Sequence, residues 1–199
     1  MNNKIANILK SYLEDLSWAD KVAGLTQVAN IRLKEGENIT DKSFPISCNV
    51  TIEDCEKKGK YDELAPNSKK KSVMFFEDRG GVKLDHYEGT RIWYRASLRL
   101  IVWLNLRKIE GAACDADVSE CGVSGDYVLD VIKHIPYNAF DSGGFYGISI
   151  EPPEQVERSV DIFGRYTFNE PQTQYLMWPY DYFALDYDIL FSIPCDYAE

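Results

Sequence analysis

Toward the amino terminus the apolar residues recur every three or four places. Ile5, Ile8, Leu9, Tyr12, Leu13 and Leu16 fall on one side of a helical period, with Lys4, Asn7, Ser11 and Glu14 opposite them. That pattern predicts an amphipathic helix over residues 4–17. In the mixed stretch that runs to Gly36, Val22, Leu25 and Val28 fit either a further helical turn or a connecting strand. From residue 44 the period shortens to two: FPISCNVTI (44–52) alternates Phe44, Ile46, Cys48, Val50 and Ile52 with smaller polar partners, which predicts a half-buried strand. VMFFED (73–78) predicts another strand, with RGG (79–81) as its turn.

The stretch RIWYRASLRLIVWLNLR (91–107) separates into two faces when successive side chains are sent to opposite sides of a strand. Ile92, Tyr94, Ala96, Leu98, Leu100, Val102, Leu104 and Leu106 make a pure apolar face, the expected core side. Arg91, Trp93, Arg95, Ser97, Arg99, Ile101, Trp103, Asn105 and Arg107 make the other, which is cationic and aromatic. At helical spacing the same arginines and leucines scatter around the axis, so a helix is excluded. The run is much longer than the usual strand of about 5–6 residues, so the strand is expected to project beyond a compact sheet or to bend across it.

After a loop at 110–124, Ser124 is placed to cap a second helix, DYVLDVIKHI, with Tyr127, Val128, Val131, Ile132 and Ile135 on one side and Pro136 as its stop. DSGG (141–144) is a turn leading into FYGISI, and EPPE (151–154) forces an extended bend. DIFGRYTFN (161–169) is a strand candidate, followed by an aromatic crossing, PQTQYLMWPYDY. In YFALDYDILFSI (182–193), Phe183, Leu185, Tyr187, Ile189, Phe191 and Ile193 are expected inward and Ala184, Asp186, Asp188 and Ser192 outward. Strands gathered in hairpin-like blocks between two helices predict a single α+β domain over residues 1–199, its sheet largely antiparallel with helices packed on one face. Within it, the charged insert 53–72 is expected to be a flexible loop or an arm that orders against a partner, with its lysine run Lys69, Lys70 and Lys71.

Composition narrows the function classes. Thirty-two acids against 22 bases give a formal charge of −10 over 199 residues, a field that repels DNA and anionic lipid. No apolar run approaches the about 20 residues of a membrane helix, and no signal-peptide core is visible, so an intracellular, soluble protein is expected. An odd number of cysteines, five, fits reduced thiols. Cys48/Cys55 and Cys114/Cys121 are spaced too widely for zinc knuckles, and His86 and His134 stand in no ligand-like relation to them. The acids Asp115, Asp117 and Glu120 alternate in a loop that lacks the glycine and terminal glutamate of an EF-hand. None of the nucleophile-elbow, phosphate-loop, zincin or dinucleotide motifs is present. His134 at a helix end has a structural role, and His86 sits in a polar turn, exposed and idle. The expectation is a non-enzyme without cofactors.

The cationic face invites two assignments. Arginines with interleaved aromatics suit single-stranded nucleic acid, and arginine with tryptophan also marks protein-binding hot spots. In an acidic chain, pairing with carboxylates is favoured over phosphate, and Asp186 and Asp188 on the outward face of the last strand are candidate partners, within one chain or between two. The interface candidates are therefore Arg91, Trp93, Arg95, Arg99, Trp103, Arg107, Asp186, Asp188, Lys69, Lys70 and Lys71.

The order of these elements is a further signal: a helix, a strand with FPI, a long loop, a hairpin ending in RIWYRASLRLIVWLN, a helix VLDVIKHIP, and a closing hairpin RYTF to YFALDYDILFSI. It resembles the head-to-tail joining and tail-terminator proteins of tailed bacteriophages. The run VDIFGRYTFNEPQTQYLMWPYDYFALDYDILF is similar to neck ring proteins of the crAss-like phages. The resemblance covers most of the chain outside 53–72 and 110–124 and rests on element order, with no invariant motif. It implies a tail-terminator-like fold and a virion structural protein. Such a subunit forms a sixfold or twelvefold ring with itself, contacts portal, adjacent neck ring or tail proteins, and lets DNA pass without sequence-specific binding. No membrane partner and no catalytic residue is implied. An acidic charge would suit a bore along which DNA slides. The rival expectation is an intracellular adaptor that binds a protein through the Arg/Trp strand; an enzyme built on a carboxylate pair is a third.

Overall fold

The computed structural model describes residues 1–35, 38–47, 62–89, 91–111, 124–139, 145, 147–168 and 173–193. In chain order come helix α1 (Asn2–Leu13) and strands β1 (Lys21–Leu25), β2 (Gln27–Glu35), β3 (Asn38–Ser47) and β4 (Asp62–Glu63). The long strands β5 (Ser72–Glu88) and β6 (Arg91–Asn105) follow, then helices α2 (Leu106–Glu110) and α3 (Ser124–His134). Strands β7 (Asn138–Ala139), β8 (Gly147–Ile150) and β9 (Val156–Glu157), two 3-10 turns (Val160–Phe163 and Gln174–Leu176) and β10 (Tyr180–Ser192) complete the order. The larger sheet runs β1-β5-β6-β10-β8-β7, with β9 also on β10, and the smaller runs β2-β3-β4. Only β1 pairs in parallel, on β5; the other described pairings are antiparallel. The fold is α+β with a largely antiparallel sheet.

Both longer helices lie on one face of that sheet. Ile5, Ala6, Leu9 and Leu13 of α1 and Val131 of α3 are fully buried against Leu98, Leu100, Val102 and Leu104 of β6 and Phe183, Leu185, Ile189 and Phe191 of β10. Helix α1 stops at Leu13, yet the helical spacing continues through the next turn, because Leu16 and Trp18 still reach this core. Trp18 meets Tyr127 edge-on at 5.2 Å and donates its indole N–H to Asp130 at 3.2 Å, which ties the two helices together. Both helices thus present their apolar stripes to the even-numbered face of β6, as the alternation predicted.

The opposite face carries a second core that the sequence concealed. Val73, Phe75, Ile101, Trp103 and Ala184 of the sheet are covered by Leu64, Ile162, Phe163 and Tyr166, with Val28 packed alongside. A sheet covered on both faces accounts for β6 reading as a near-continuous apolar run from Leu98 to Leu104. Several expectations change with it. Ala184 and Ser192, placed outward by alternation, are 2% and 0% exposed. Within the insert, Leu64, Ala65 and Pro66 are buried; 53–61 and the loop 112–123 lie outside the described residues, as do Cys48 to Ile52, Cys55 and the acids of the 114–120 loop.

Strand boundaries move for local reasons. Val22, Leu25 and Val28 belong to strands β1 and β2. In β3 it is Pro45 and Ser47 that are buried, while Phe44 and Ile46 are half-buried, because the Pro45 and Ser43 carbonyls accept Leu64 and Thr167 N–H groups from the covering segments. DIFGRYTFN is not a strand: Ser159 caps a 3-10 turn by accepting the Asp161 N–H at 3.1 Å, and Ile162, Phe163 and Tyr166 point into the second core. RGG is not a turn either. The Asp78 carboxylate accepts the N–H groups of Gly80 and Gly81 at 3.0 and 2.7 Å, and Gly81 takes φ +70°. The extra residues are absorbed as a bulge, and β5 runs on to Glu88.

The candidate interface on the long strand

Strand β6 lies between β5 and β10, so each outward β6 side chain is flanked by a residue of either neighbour. Arg99 stands between Glu77 and Asp186, Ser97 beside Asp188, and Arg95 between Lys83 and Leu190. The Arg99 guanidinium donates from Nε and Nη2 to the two Asp186 oxygens at 2.8 and 2.7 Å, and its Nη1 lies 2.8 Å from Glu157 of β9. It is 9% exposed. Arg79 stands 3.9 Å from the same Asp186 carboxylate.

Arg95 closes a second group toward the hairpin tip. It donates to Asp85 at 2.9 Å and to Glu151 at 3.2 Å, with Asp188 at 3.9 Å, while Ser97 donates to Asp188 at 2.5 Å. His86, expected idle in a turn, lies within β5. It contacts Asp85 at 2.7 Å and stacks on Trp93 with centroids 6.0 Å apart, and Trp93 donates to Glu88 at 2.9 Å. The hydrogen bonds to Asp186 and Asp85 raise the pKa of Arg99 and Arg95 respectively, against the opposing effect of burial. His86 and then Arg95, as hydrogen-bond partners, hold Asp85 below the usual carboxylate range. A buried acid shares this face: Glu77, 2% exposed, accepts the Tyr166 hydroxyl and lies 3.7 Å from Arg165.

These contacts place the candidates unevenly. Asp186 and Asp188 do pair with the arginines, within one chain. Trp103, expected at an interface, is 1% exposed, donates its indole N–H to the Tyr175 carbonyl at 2.6 Å and stacks on Tyr180 at 5.3 Å. Ile101 lies beside it in the second core. The face from Arg99 to Asn105 is therefore interior, which corrects the expectation that it meets another protein. Arg91 is exposed at the hairpin tip opposite Glu88, and Arg107 is exposed on α2.

The lysine run forms a tied turn. Lys71 N–H donates to Asp20 at 2.9 Å, Lys70 lies 3.8 Å from Asp20, and Lys69 N–H donates to Asn67; Lys69 and Lys71 side chains are exposed.

Chemically, this face engages its arginines with its own carboxylates, which outnumber them. An acidic cleft of about 510 Å³ lies beside it, lined by Arg79, Ser97, Glu151, Glu154, Asp186 and Asp188. Among the described residues no group of three His, Cys, Asp or Glu side chains is placed to hold a metal, and no helix is long and apolar enough to cross a membrane. The alternation of β6 and β10 made Asp186 and Asp188 candidate partners of the arginines, and the register of the two strands pairs Arg99 with Asp186. Asp85, Glu151, Glu157 and Arg79 went unnoticed because each comes from a segment whose pairing no local pattern announces; the acids clustered after EPP were the one available hint. No family model, no curated protein and no solved structure matches this chain.

Proposed function

We propose that the chain is a structural subunit of a phage head-to-tail connector. In this role copies close into a ring of six or twelve, held between portal and tail in the virion and assembled in the host cytoplasm, with adjacent neck ring or tail proteins as neighbours and DNA passing through the bore unread. The role is non-enzymatic. One observation carries the proposal: the β2–β3 hairpin is an arm. Its strands pair over nine positions, from Gln27↔Ile46 to Glu35↔Asn38, whereas among the described residues β4 joins only at Ile46 and Ser47. Its Arg32–Asp41 pair, at 2.9 Å, is 72% and 65% exposed. A two-stranded ribbon is marginal in water by itself, and a neighbouring subunit supplies the surface that it lacks. Heterologous contact between successive copies is the geometry that closes rings.

The adaptor alternative depends on an open Arg/Trp face and loses its central contacts with Arg99 and Trp103 buried. Sedimentation velocity of the purified chain, alone and mixed with portal and tail components, tests the ring. Closed species of about six or twelve copies are expected; a monomer under every one of those conditions refutes it. If a ring structure lined the bore with the arginine face in place of carboxylates, the sliding-DNA role of the acidic charge would fail.

A further inference from the structure

Strand β1 covers only part of the outer edge of β5. Its register runs from Val73 to Phe76, and Thr26 N–H closes the cover by donating to the Phe76 carbonyl at 2.8 Å. Beyond the bulge at Gly80 and Gly81, residues 82–88, whose register on β6 shifts once more between Leu84 and His86, have no strand on the outer side among the described residues. The direction of their backbone groups follows from β6. Asn105 N–H donates to Lys71 on the β5 side and Leu106 N–H to Pro179 on the β10 side, so even-numbered β6 residues point their backbone away from β5. Val82, Leu84 and Tyr87 stand opposite Ala96, Tyr94 and Ile92; their N–H and C=O groups therefore face outward. Their side chains share one face and are 39%, 52% and 68% exposed. An edge of this kind is a template for another strand unless something refuses it.

The charges on the edge decide what is refused. Lys83, Asp85 and Glu88 interrupt the apolar residues and reject an arbitrary strand, yet VKLDHYE matches itself in one antiparallel register. With Leu84 opposite Tyr87 of a second copy, Lys83 meets Glu88 and Asp85 meets His86, each twice across a two-fold axis. Leu84 and Tyr87, both outward, become a hydrogen-bonded pair. Lys83 and Glu88, both turned toward β6, become the intervening pair, in which side chains approach most closely. A slip of one residue sets Asp85 against Asp85, or His86 against His86, and opposes outward groups with inward ones. From this complementarity we propose that two copies of the chain pair through residues 82–88 of β5, joining their larger sheets edge to edge. The pairing goes beyond the ring and does not depend on it.

Seven residues a side is a small contact, below the about 800 Å² per partner of a standard interface, so the dimer is weak and concentration-dependent. Sedimentation equilibrium of the full chain over a micromolar range measures it directly. Lys83→Glu and Glu88→Lys, each at an exposed position, are expected to raise the dimer dissociation constant about tenfold, and the double swap to return it to within about threefold of wild type. Circular dichroism checks that all three remain folded. A wild-type chain that stays monomeric to several hundred micromolar, or a double swap as dissociated as the single variants, overturns the pairing. A dimer that responds to the swaps but never closes a ring upholds this contact and sinks the connector role.

Discussion

Trp103 and Tyr187 lie on opposite faces of the sheet, and each turns on where one polar atom goes. The Trp103 N–H has the Tyr175 carbonyl, and its ring is enclosed by Tyr175 and Tyr180. Trp103→Ala is therefore expected to cost about 3–5 kcal/mol of folding stability, read as a lower urea midpoint, and to act before any effect on assembly. The Tyr187 hydroxyl is buried without a hydrogen-bond partner among the described residues. Burial, then Tyr137, raises its pKa above the ordinary tyrosine value, and burial with Glu77 does the same to Tyr166. Both stay neutral in the folded state where the unfolded chain ionises. Their contribution is thus complete below about pH 10 and declines above it, by about 1.4 kcal/mol per pH unit for each ring. Tyr187→Phe is expected to stabilise the protein by up to about 1 kcal/mol at neutral pH and to give a shallower alkaline decline in urea titrations from about pH 9 to 11. At this scale the sequence disclosed the even face of β6 and offered Asp186 and Asp188 as partners for its arginines without assigning either to one of them. It could not disclose that Trp103 is interior, because alternation separates two faces and does not say what covers the second.

Among the elements, those whose pattern matched a period were legible: α1, α3, β6 and β10 all form, although α1 ends at Leu13 and residues 106–107 of the expected strand belong to α2. Elements governed by a single carboxylate or glycine were not. RGG has turn composition, yet Asp78 captures the two glycine N–H groups and the strand continues. Gly81→Ala tests that account. Beyond its chain neighbours, no atom of the described residues lies within 4 Å of an added Cβ, so the cost is that of the left-handed backbone. About 1–2 kcal/mol of destabilisation is expected, with the β5–β6 tip exchanging its amide hydrogens faster than the base. DIFGRYTFN failed for the complementary reason: its strand-forming residues serve as a plug over the second core, where a 3-10 turn presents Ile162 and Phe163 together.

For the molecule as a whole, helices on one face and irregular segments on the other leave the sheet edges and the β2–β3 arm as the surfaces on which copies can meet. The helices on one face agree with the architecture the sequence announced, the cover on the other does not, and the proposed role in a virion rests on the arm and its test. Strand β10 has one more consequence. It lies between β6 and β8, and its contacts with Arg99 and Ser97 span 87 and 91 positions of chain. The centre of the sheet cannot form until residues 180–192 have left the ribosome. Folding is then dominated by closure of a long loop and is slow for the size of the chain. Until that strand arrives, the edge of β6 that it pairs stays open along thirteen positions, from Trp93 to Asn105, so the nascent chain is most prone to aggregate just before synthesis of its central strand is complete.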